Sequence, residues 1–445
     1  MAYANATSGR SARRVEQLLL PLGGVAPAGD LVMAIRVAFD HPELAADFLR
    51  RHRVVGLGLR RLHEAVEHDR LAAPLRELAS WRVELDGLLE AGWAELADGV
   101  AATGVATAGI KGLAMRAEYQ YPLDRDAGDI DVMVHTVDDA WELATWLRGR
   151  GYDWCEYEWP WIKRDVATSK IYGQFQVWKQ VGEQYLRFDI HFGGYSVRHC
   201  RLAACAPSQP GLSLIEPAGN LPCLLGNSSG DFLLRLKDVN DLAVLIKNGW
   251  RPDRQELTMI RSLGLARFWN ALIRRMSGLT LLTEDEQRAV RGLRVAYGHQ
   301  RVPFGSPSPR ARTRATVADA FRYGAADGGL RRAVAVARDA YSYYSKKHQL
   351  TVGPCEHPDR AALLRNLTNE TCIRLIPPRM IGTEPTGAAQ HEATRRRQLP
   401  GTQLLVEVVS GQHAFLEGND ERLVPTLSYN LCAVEAAGAG TAGEG

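Results

Sequence analysis

Two short segments, in which polar residues alternate with apolar ones, constrain the fold more than any other feature. They read DIDVMV at 129–134 and YLRFDIHF at 185–192. Successive side chains of a β-strand point to opposite faces of a sheet, so each segment predicts a strand with one apolar face and one polar face. Strands of this kind belong to a sheet whose apolar side is covered by other elements.

The polar faces of these two predicted strands carry acidic residues. Asp129 and Asp131 project from one side of the first strand, and Asp189 projects from the polar side of the second, in phase with Arg187 and His191. Carboxylates at this spacing repel one another, and a divalent cation relieves that repulsion because hard cations prefer oxygen ligands. If the strands are neighbours, three carboxylates meet above the sheet, an arrangement that suits two-metal phosphoryl chemistry.

The surrounding residues predict a mixed α/β unit. A short apolar segment at 105–110 precedes a helical stretch that begins at Gly112. A helix is expected over 136–149, with Thr136 as N-cap and an acidic residue three positions later. Two strands over 171–180 and 185–192 are expected to be joined by a turn. The fold class is therefore α+β, with a sheet flanked by helices.

Helical periodicity dominates on both sides of this unit, most clearly over 71–100 and from 229 to 300. The expected organisation is an N-terminal helical region (1–103), a catalytic core (104–195), a helical domain (196–303), a linker (304–316), a C-terminal α+β region of unknown role (317–433) and a disordered tail (434–445). Within the C-terminal region, residues 377–401 are expected to form a loop that includes the Arg395–Arg397 run.

Bulk properties restrict the class of protein. The chain has 445 residues, 46% hydrophobic and 24% charged residues, and a net charge of +3. We find no apolar run of the roughly 18 residues that suggests a membrane span, and the N-terminus does not read as a signal peptide. Seven scattered cysteines without a CxxC pair favour reduced thiols and a cytoplasmic location. No basic stripe with interleaved aromatics indicates nucleic acid as a partner.

The residues around the acids resemble a known family. The turn Gly109-Ile-Lys-Gly112, the segment YQYPLDRDAGDIDVMV and the later FDIHF are similar to the uncharacterised nucleotidyltransferase family, a branch of the DNA polymerase β-like superfamily. The resemblance covers about residues 60 to 250 and is strongest over 109–134. It implies a nucleotidyltransferase-type sheet, two Mg²⁺ ions, a nucleoside triphosphate as co-substrate, and Asp129, Asp131 and Asp189 as the catalytic metal ligands.

Further residues are candidates for holding the triphosphate. Gly109, Lys111 and Gly112 form the turn where the superfamily grips phosphate, although its usual Gly-Gly or Gly-Ser is replaced here by Lys-Gly. Backbone N–H groups at Gly112 and the charge of Lys111 suit phosphate, and Lys111 as a solvated turn residue is the alternative. Arg125 either contacts phosphate or pairs with a neighbouring acid.

Lys237 is a weaker candidate for nucleotide contact, since similar Lys-Asp-x-x-Asp helices follow the catalytic domain in nucleotidyltransferases. His191 either orients Asp189 or is a buried structural histidine. The tryptophans near the acids stack on a substrate ring or pack in the core, and the second role is favoured; they are Trp154, Trp159, Trp161 and Trp178.

The favoured hypothesis is an enzyme that transfers an NMP group from an NTP to a hydroxyl of a small-molecule or peptide acceptor. The resemblance to this family also implies a place in specialised metabolism, for example antibiotic biosynthesis. The alternative is a catalytically inactive nucleotide-binding or scaffold protein with the same fold. Retention of all three aspartates favours the enzyme, whereas the sequence leaves the NTP, the acceptor and the oligomeric state open.

Overall fold

The computed structural model of the protein describes most of the chain up to residue 295 and separate segments beyond it. The described residues are 9–24, 28–155, 160–165, 168, 170–197, 201–230, 233–276, 282–295, 302, 304, single positions between 314 and 337, and 373–376, 395–398, 405–409, 413–418 and 421–426. The expected disordered tail, almost all of the linker and most of the C-terminal region lie outside them, as does Trp159.

The helices of the described residues are α1 (Gly9–Leu19), α2 (Ala28–Asp40), α3 (Pro42–His52), α4 (Val55–Ala65), α5 (Ala73–Thr103), α6 (Lys111–Arg116), α7 (Val137–Arg148), α8 (Pro217–Gly230), α9 (Leu236–Lys247), α10 (Arg254–Ser262), α11 (Ala266–Met276) and α12 (Glu284–Gly292). Short 3-10 turns cover Leu20–Gly23, His68–Arg70 and Pro122–Asp124. Among the described residues, no helix combines the length and hydrophobicity that crossing a membrane requires.

The strands are β1 (Thr107–Gly109), β2 (Ile130–Val134), β3 (Asp153–Trp154), β4 (Trp161–Arg164), β5 (Ile171–Val181), β6 (Gln184–Phe192), β7 (Tyr195–Val197), β8 (Arg201–Ala203), β9 (Leu212–Leu214), β10 (Ile373–Ile376), β11 (Arg395–Gln398), β12 (Leu405–Val409), β13 (His413–Gly418) and β14 (Glu421–Thr426). The protein is therefore a mixed α+β protein, as the alternating and helical patterns predicted.

Local sequence signals explain why several elements form where they do. Thr136 caps α7 by accepting a hydrogen bond from the backbone N–H of Asp139, whose carboxylate accepts one from the N–H of Thr136. The helix predicted over 71–100 is α5, which carries Pro74 in its first turn. The predicted pair of strands is the antiparallel hairpin of β5 and β6, with the turn after Val181.

The chain folds into two compact units that are both discontinuous in sequence. The first unit consists of 1–92, 110–128 and 216–308, and the second of 93–109, 129–215 and 309–445. The sequence predicted domains that are each one continuous segment, whereas each of these units combines three separate segments. Within 196–303, which the sequence assigned to a helical domain, residues 201–203 and 212–214 form β8 and β9.

The second unit is built on a mixed sheet. Its strand order is β11-β12-β13-β14-β10-β4-β5-β6-β2-β1-β9, with β3 paired to β5. Strand β6 lies between β2, to which it is parallel, and β5, to which it is antiparallel. Its Asp189 therefore has Asp131 of β2 on one side and Gln176 of β5 on the other. Strand β11 contains the Arg395–Arg397 run, so the prediction of an uninterrupted loop over 377–401 is wrong at these residues.

The first unit is helical. Its core is an apolar cluster from α1 to α5 that also takes in Leu236 of α9, and its largest side chain is Phe48, which is fully buried. A smaller cluster of Met115, Leu224 and Leu245 joins α6, α8 and α9. These apolar faces correspond to the helical periodicity in the sequence.

Candidate metal centre

Two of the predicted carboxylates lie side by side because β2 and β6 are adjacent and parallel. The register pairs Asp131 with Asp189, Ile130 with Phe188 and Val132 with Ile190. Laterally paired residues point to the same face of a sheet, so both acids share one face while their apolar neighbours share the other. The condition on which the predicted site depended, that these strands be neighbours, is met.

His191 joins the two acids in a compact group. The possible ligand atoms of Asp131, Asp189 and His191 all lie within 4.8 Å of one another, and all three side chains are buried. The imidazole Nε2 is 3.5 Å from Asp131 Oδ1, and the ring lies 4.9 Å from the ring of Tyr195. The described polar contact of His191 is therefore with Asp131, whereas the sequence suggested Asp189 as its partner.

This group has the donor chemistry of a metal site. Two unit negative charges no more than 4.8 Å apart repel by at least roughly 3 kcal/mol at an effective dielectric constant of about 20, and a bound cation relieves that cost. Carboxylate oxygens suit Mg²⁺ and Mn²⁺, while an imidazole nitrogen adds a ligand that first-row transition metals accept readily. The buried Asp-Asp-His group can therefore bind a metal ion.

Asp129 is placed differently from the other two acids. It precedes β2, its side chain is 21% exposed, and it accepts a short hydrogen bond from Nη2 of Arg187. The Nε of Arg187 also lies 3.3 Å from Oδ1 of Asp189. Asp129 does not belong to the Asp131–Asp189–His191 group among the described residues, and Arg187 links it to that group.

The opposite face of the sheet is a packed core that holds these strands in place. Phe175 and Phe188 are fully buried there, and Trp141 of α7 contacts Phe175 edge to face with ring centroids 5.8 Å apart. On the polar face, Gln176 of β5 pairs in register with Asp189 and is 1% exposed. Apart from Asp129, which precedes β2, the polar residues of the site thus lie on three hydrogen-bonded strands.

The described tryptophans of this region pack against other aromatic residues. The ring centroids of Trp154 and Trp141 lie 5.7 Å apart, and Trp161 contacts Tyr172 edge to face. Trp178 stacks on Tyr185 with ring centroids 4.7 Å apart. These contacts agree with the packing role that the sequence favoured.

The turn expected to hold phosphate has an unusual backbone. Lys111 has a φ of 52°, which lies in the left-handed region where non-glycine residues are uncommon. Asn220 of α8 holds its backbone, since Lys111 N–H donates to Asn220 Oδ1 at 2.6 Å and Asn220 Nδ2 donates to the Lys111 carbonyl at 3.2 Å. Gly109 is required for packing, because an added Cβ would lie 2.7 Å from Trp93.

Helix α6, which Lys111 and Gly112 begin, has only six residues. Such a short helix offers a small dipole, so its N-terminus is weak support for phosphate binding. The nucleotide-binding roles of Gly109, Lys111 and Gly112 stay predictions.

Arg125 is buried in an ion-pair network of the first unit. Its Nε lies 2.6 Å from Asp241 Oδ1, which also accepts a 2.8 Å hydrogen bond from the hydroxyl of Tyr119. Burial acts to lower the pKa of Arg125, but the charge of Asp241 outweighs it and the pKa is raised. Of its sequence neighbours, Asp124 pairs with Arg60, and Asp126 accepts a hydrogen bond from Arg125 through its backbone carbonyl.

Lys237 is also buried, at 2% exposure. Its Nζ lies 3.0 Å from Asp238 Oδ1 and 3.4 Å from Ser228 Oγ. Burial lowers the pKa of Lys237, and Asp238 opposes that shift. Lys237 and Asp241 lie four positions apart on α9, a spacing that allows a surface ion pair, but Asp241 binds Arg125 and Tyr119 instead. In the structure Lys237 contacts its own helix and α8, and its nucleotide role stays a prediction.

Arg187 and Gln176 are the site residues that the sequence did not single out, and His191 was weighed without being assigned a metal. For two of these residues the signal was present in β6, where Arg187 and His191 alternate in phase with Asp189. Comparisons with protein-family models, with curated proteins and with solved structures find no match to this chain. The resemblance to the nucleotidyltransferase family therefore rests on the motif residues alone.

Proposed function

We propose that the protein is a metal-dependent nucleotidyltransferase that moves an NMP group from an NTP to a hydroxyl of a small-molecule or peptide acceptor. The observation that carries the proposal is the lateral pairing of Asp131 with Asp189, which makes the in-phase acids of two separate segments one buried group with His191. A purely structural sheet gains nothing from burying two adjacent carboxylates.

The residues that would hold the cation are Asp131, Asp189 and His191, with Asp129 at the edge of the group. Mg²⁺ ions bound there would neutralise the charge that develops on the phosphate oxygens during transfer. Asp189 lies beside Asp131 and Arg187 on a rigid strand, where it can accept the proton of the attacking hydroxyl. Strand-mounted ligands keep their positions when substrate binds, which favours catalysis over mere storage of a metal.

The experiment is a coupled assay of pyrophosphate release from ATP, GTP, CTP and UTP, with Mg²⁺ or Mn²⁺ and a set of hydroxyl-bearing metabolites and peptides as acceptors. Asp131→Asn keeps the size of the side chain but removes its charge, and we expect turnover to fall by about a hundred- to a thousandfold, the range seen when a group that stabilises transition-state charge is lost. Asp98→Asn is the matched control, because Asp98 is exposed on α5 in the same unit.

Equal turnover in wild type and Asp131→Asn would show that Asp131 is not a catalytic metal ligand. The alternative function, a nucleotide-binding or scaffold protein, predicts a different result. It requires tight binding of an NTP in calorimetry together with no pyrophosphate release for any acceptor.

A further inference from the structure

A pair of histidines on the surface of the helical unit brings two further possible metal ligands together. Nε2 of His63 and Nδ1 of His68 are 3.2 Å apart, and the centroids of the two rings are 5.3 Å apart. His63 lies in the last turn of α4, and His68 begins the 3-10 turn that follows this helix. Both side chains are exposed, so an ion in solution can reach them.

The distance between these two nitrogens is that of neighbouring ligands on one ion. An imidazole nitrogen lies about 2.0–2.1 Å from Zn²⁺, and two bonds of a tetrahedral site enclose about 109°, so two such nitrogens stand about 3.3–3.4 Å apart. The observed 3.2 Å agrees with this separation within about 0.2 Å. Neutral rings hold one proton between the two nitrogens, and an ion that replaces it sends that proton to the other nitrogen of the same ring.

The backbone on both sides of the pair is already fixed. Leu62 and Leu71 are buried in the apolar cluster of the helical unit. The N–H of Val66 donates to the Leu62 carbonyl at 3.0 Å, and the N–H of Leu71 donates to the His68 carbonyl at 3.0 Å. Binding of an ion therefore requires only small rotations of two side chains, and little conformational entropy is lost.

The ligand set selects the kind of ion. The nearby acids are engaged by arginines, since Glu64 pairs with Arg60 and Glu67 lies 3.9 Å from Arg70. Among the described residues, the candidate metal centre is the one group of three His, Cys, Asp or Glu side chains whose ligand atoms lie within 4.8 Å of one another. The histidine pair thus offers two nitrogens and no carboxylate in place, which suits Zn²⁺, Cu²⁺ or Ni²⁺ and not Mg²⁺.

We propose that His63 and His68 bind one Zn²⁺ ion, which fastens the end of α4 to the turn that leads into α5. Water fills the other two tetrahedral positions, so the site is open, in contrast to a structural site closed by four protein ligands. An ion that binds only when both rings are in place stabilises this connection in proportion to its occupancy. The inference is independent of the proposed transferase function, because the pair contains none of the residues assigned to catalysis.

The experiment measures Zn²⁺ binding to the full-length protein without an affinity tag, by calorimetry in excess Mg²⁺, which occupies the candidate metal centre. We expect His63→Asn and His68→Asn each to weaken one Zn²⁺ site at least about a hundredfold, because loss of a ligand costs more than the roughly 10–100-fold that follows loss of a residue that only orients one. His41→Asn is the matched control, because His41 is exposed in the same unit.

Two further measurements accompany the titration. Zn²⁺ should slow hydrogen exchange of the amides from 66 to 71 in wild type and in neither variant at the pair. In the unmodified chain, Zn²⁺ should also protect both rings from diethyl pyrocarbonate, as read by mass spectrometry, and this test needs no variant.

Each outcome supports or overturns the inference. Equal Zn²⁺ affinity and stoichiometry in wild type, His63→Asn and His68→Asn overturns it, as does unchanged modification of both rings in the presence of Zn²⁺. A hundredfold loss of affinity without any change in hydrogen exchange overturns the fastening of α4. Loss of the Zn²⁺ site in His41→Asn as well would show that the pair is not its ligand set.

Discussion

Acidification is expected to destabilise the helical unit through His52, a histidine that is 2% exposed. Its ring lies 4.6 Å from the ring of Phe48, and its Nδ1 accepts a hydrogen bond from the backbone N–H of Leu236 at 3.2 Å. Burial lowers the pKa of His52 to about 4, with Arg51 and Arg235 acting in the same direction. A proton on Nδ1 would also face the N–H of Leu236, so the neutral ring is the form that fits.

The size of the effect follows from the difference between the folded and unfolded pKa values. The unfolded value is 6.5 and the folded value is about 4. Between these values only the unfolded chain takes up the proton, so stability is complete above the unfolded pKa and falls as the pH decreases. The loss is about 2 kcal/mol at pH 5 and reaches about 3.4 kcal/mol below pH 4.

The assay compares wild type with His52→Asn, whose side-chain oxygen can still accept the hydrogen bond from Leu236. Free energies of opening are measured by hydrogen exchange on peptides from α3 at pH 7.5 and pH 5. We expect wild type to lose about 2 kcal/mol more than the variant over this interval. His41→Gln is the control because His41 is exposed in the same unit. An identical pH dependence in wild type and His52→Asn would refute the reasoning.

Two further substitutions test local features of the fold. Asp126→Asn is expected to lower the free energy of unfolding by about 2–4 kcal/mol, because the carboxylate accepts hydrogen bonds of 2.6 and 2.9 Å from two backbone N–H groups at the start of α4. Urea unfolding measures the loss, with Asp69→Asn at an exposed position as the control, and equal stability of the two variants would contradict the prediction. Gly193→Ala places a Cβ 2.0 Å from a β5 carbonyl at a residue whose φ is 70°, and we expect it to weaken Mn²⁺ binding and lower Tm. Gly182→Ala is the control, because Gly182 has a φ of 61° but no heavy atom within 4 Å of an added Cβ, and equal effects of the two substitutions would show that the clash is unimportant.

Alternation along the strands made the central part of the site predictable. A period of two fixes which residues share a face, so Asp131 and Asp189 could be placed on the polar side before any pairing was known. The same rule places Phe188 and Ile190 in the core. The cap of α7 was predictable for a similar reason, because Thr136 and Asp139 interact over three residues.

The partners of the charged residues could not be predicted, because they are distant in sequence. Arg125 binds Asp241, 116 positions away, whereas the sequence offered only its immediate neighbours. The pairing of Arg187 with Asp129 spans 58 positions and depends on the register of β2 with β6. The parallel pairing of β9 with β1 is another contact of this kind, and it draws residues beyond 195 into the sheet.

The parallel pairing of β2 with β6 also has a kinetic consequence. The β5–β6 hairpin joins neighbouring segments and can form early, bringing Arg187, Asp189 and His191 onto one ribbon. Asp131 arrives only when a strand from more than fifty positions upstream docks beside them, a slow step because a long loop must close. An ion that needs Asp131, Asp189 and His191 as ligands therefore reports that this long-range pairing has formed. The ion would also raise the population of the fully docked sheet relative to partly assembled chains, and this effect would grow with the ion concentration.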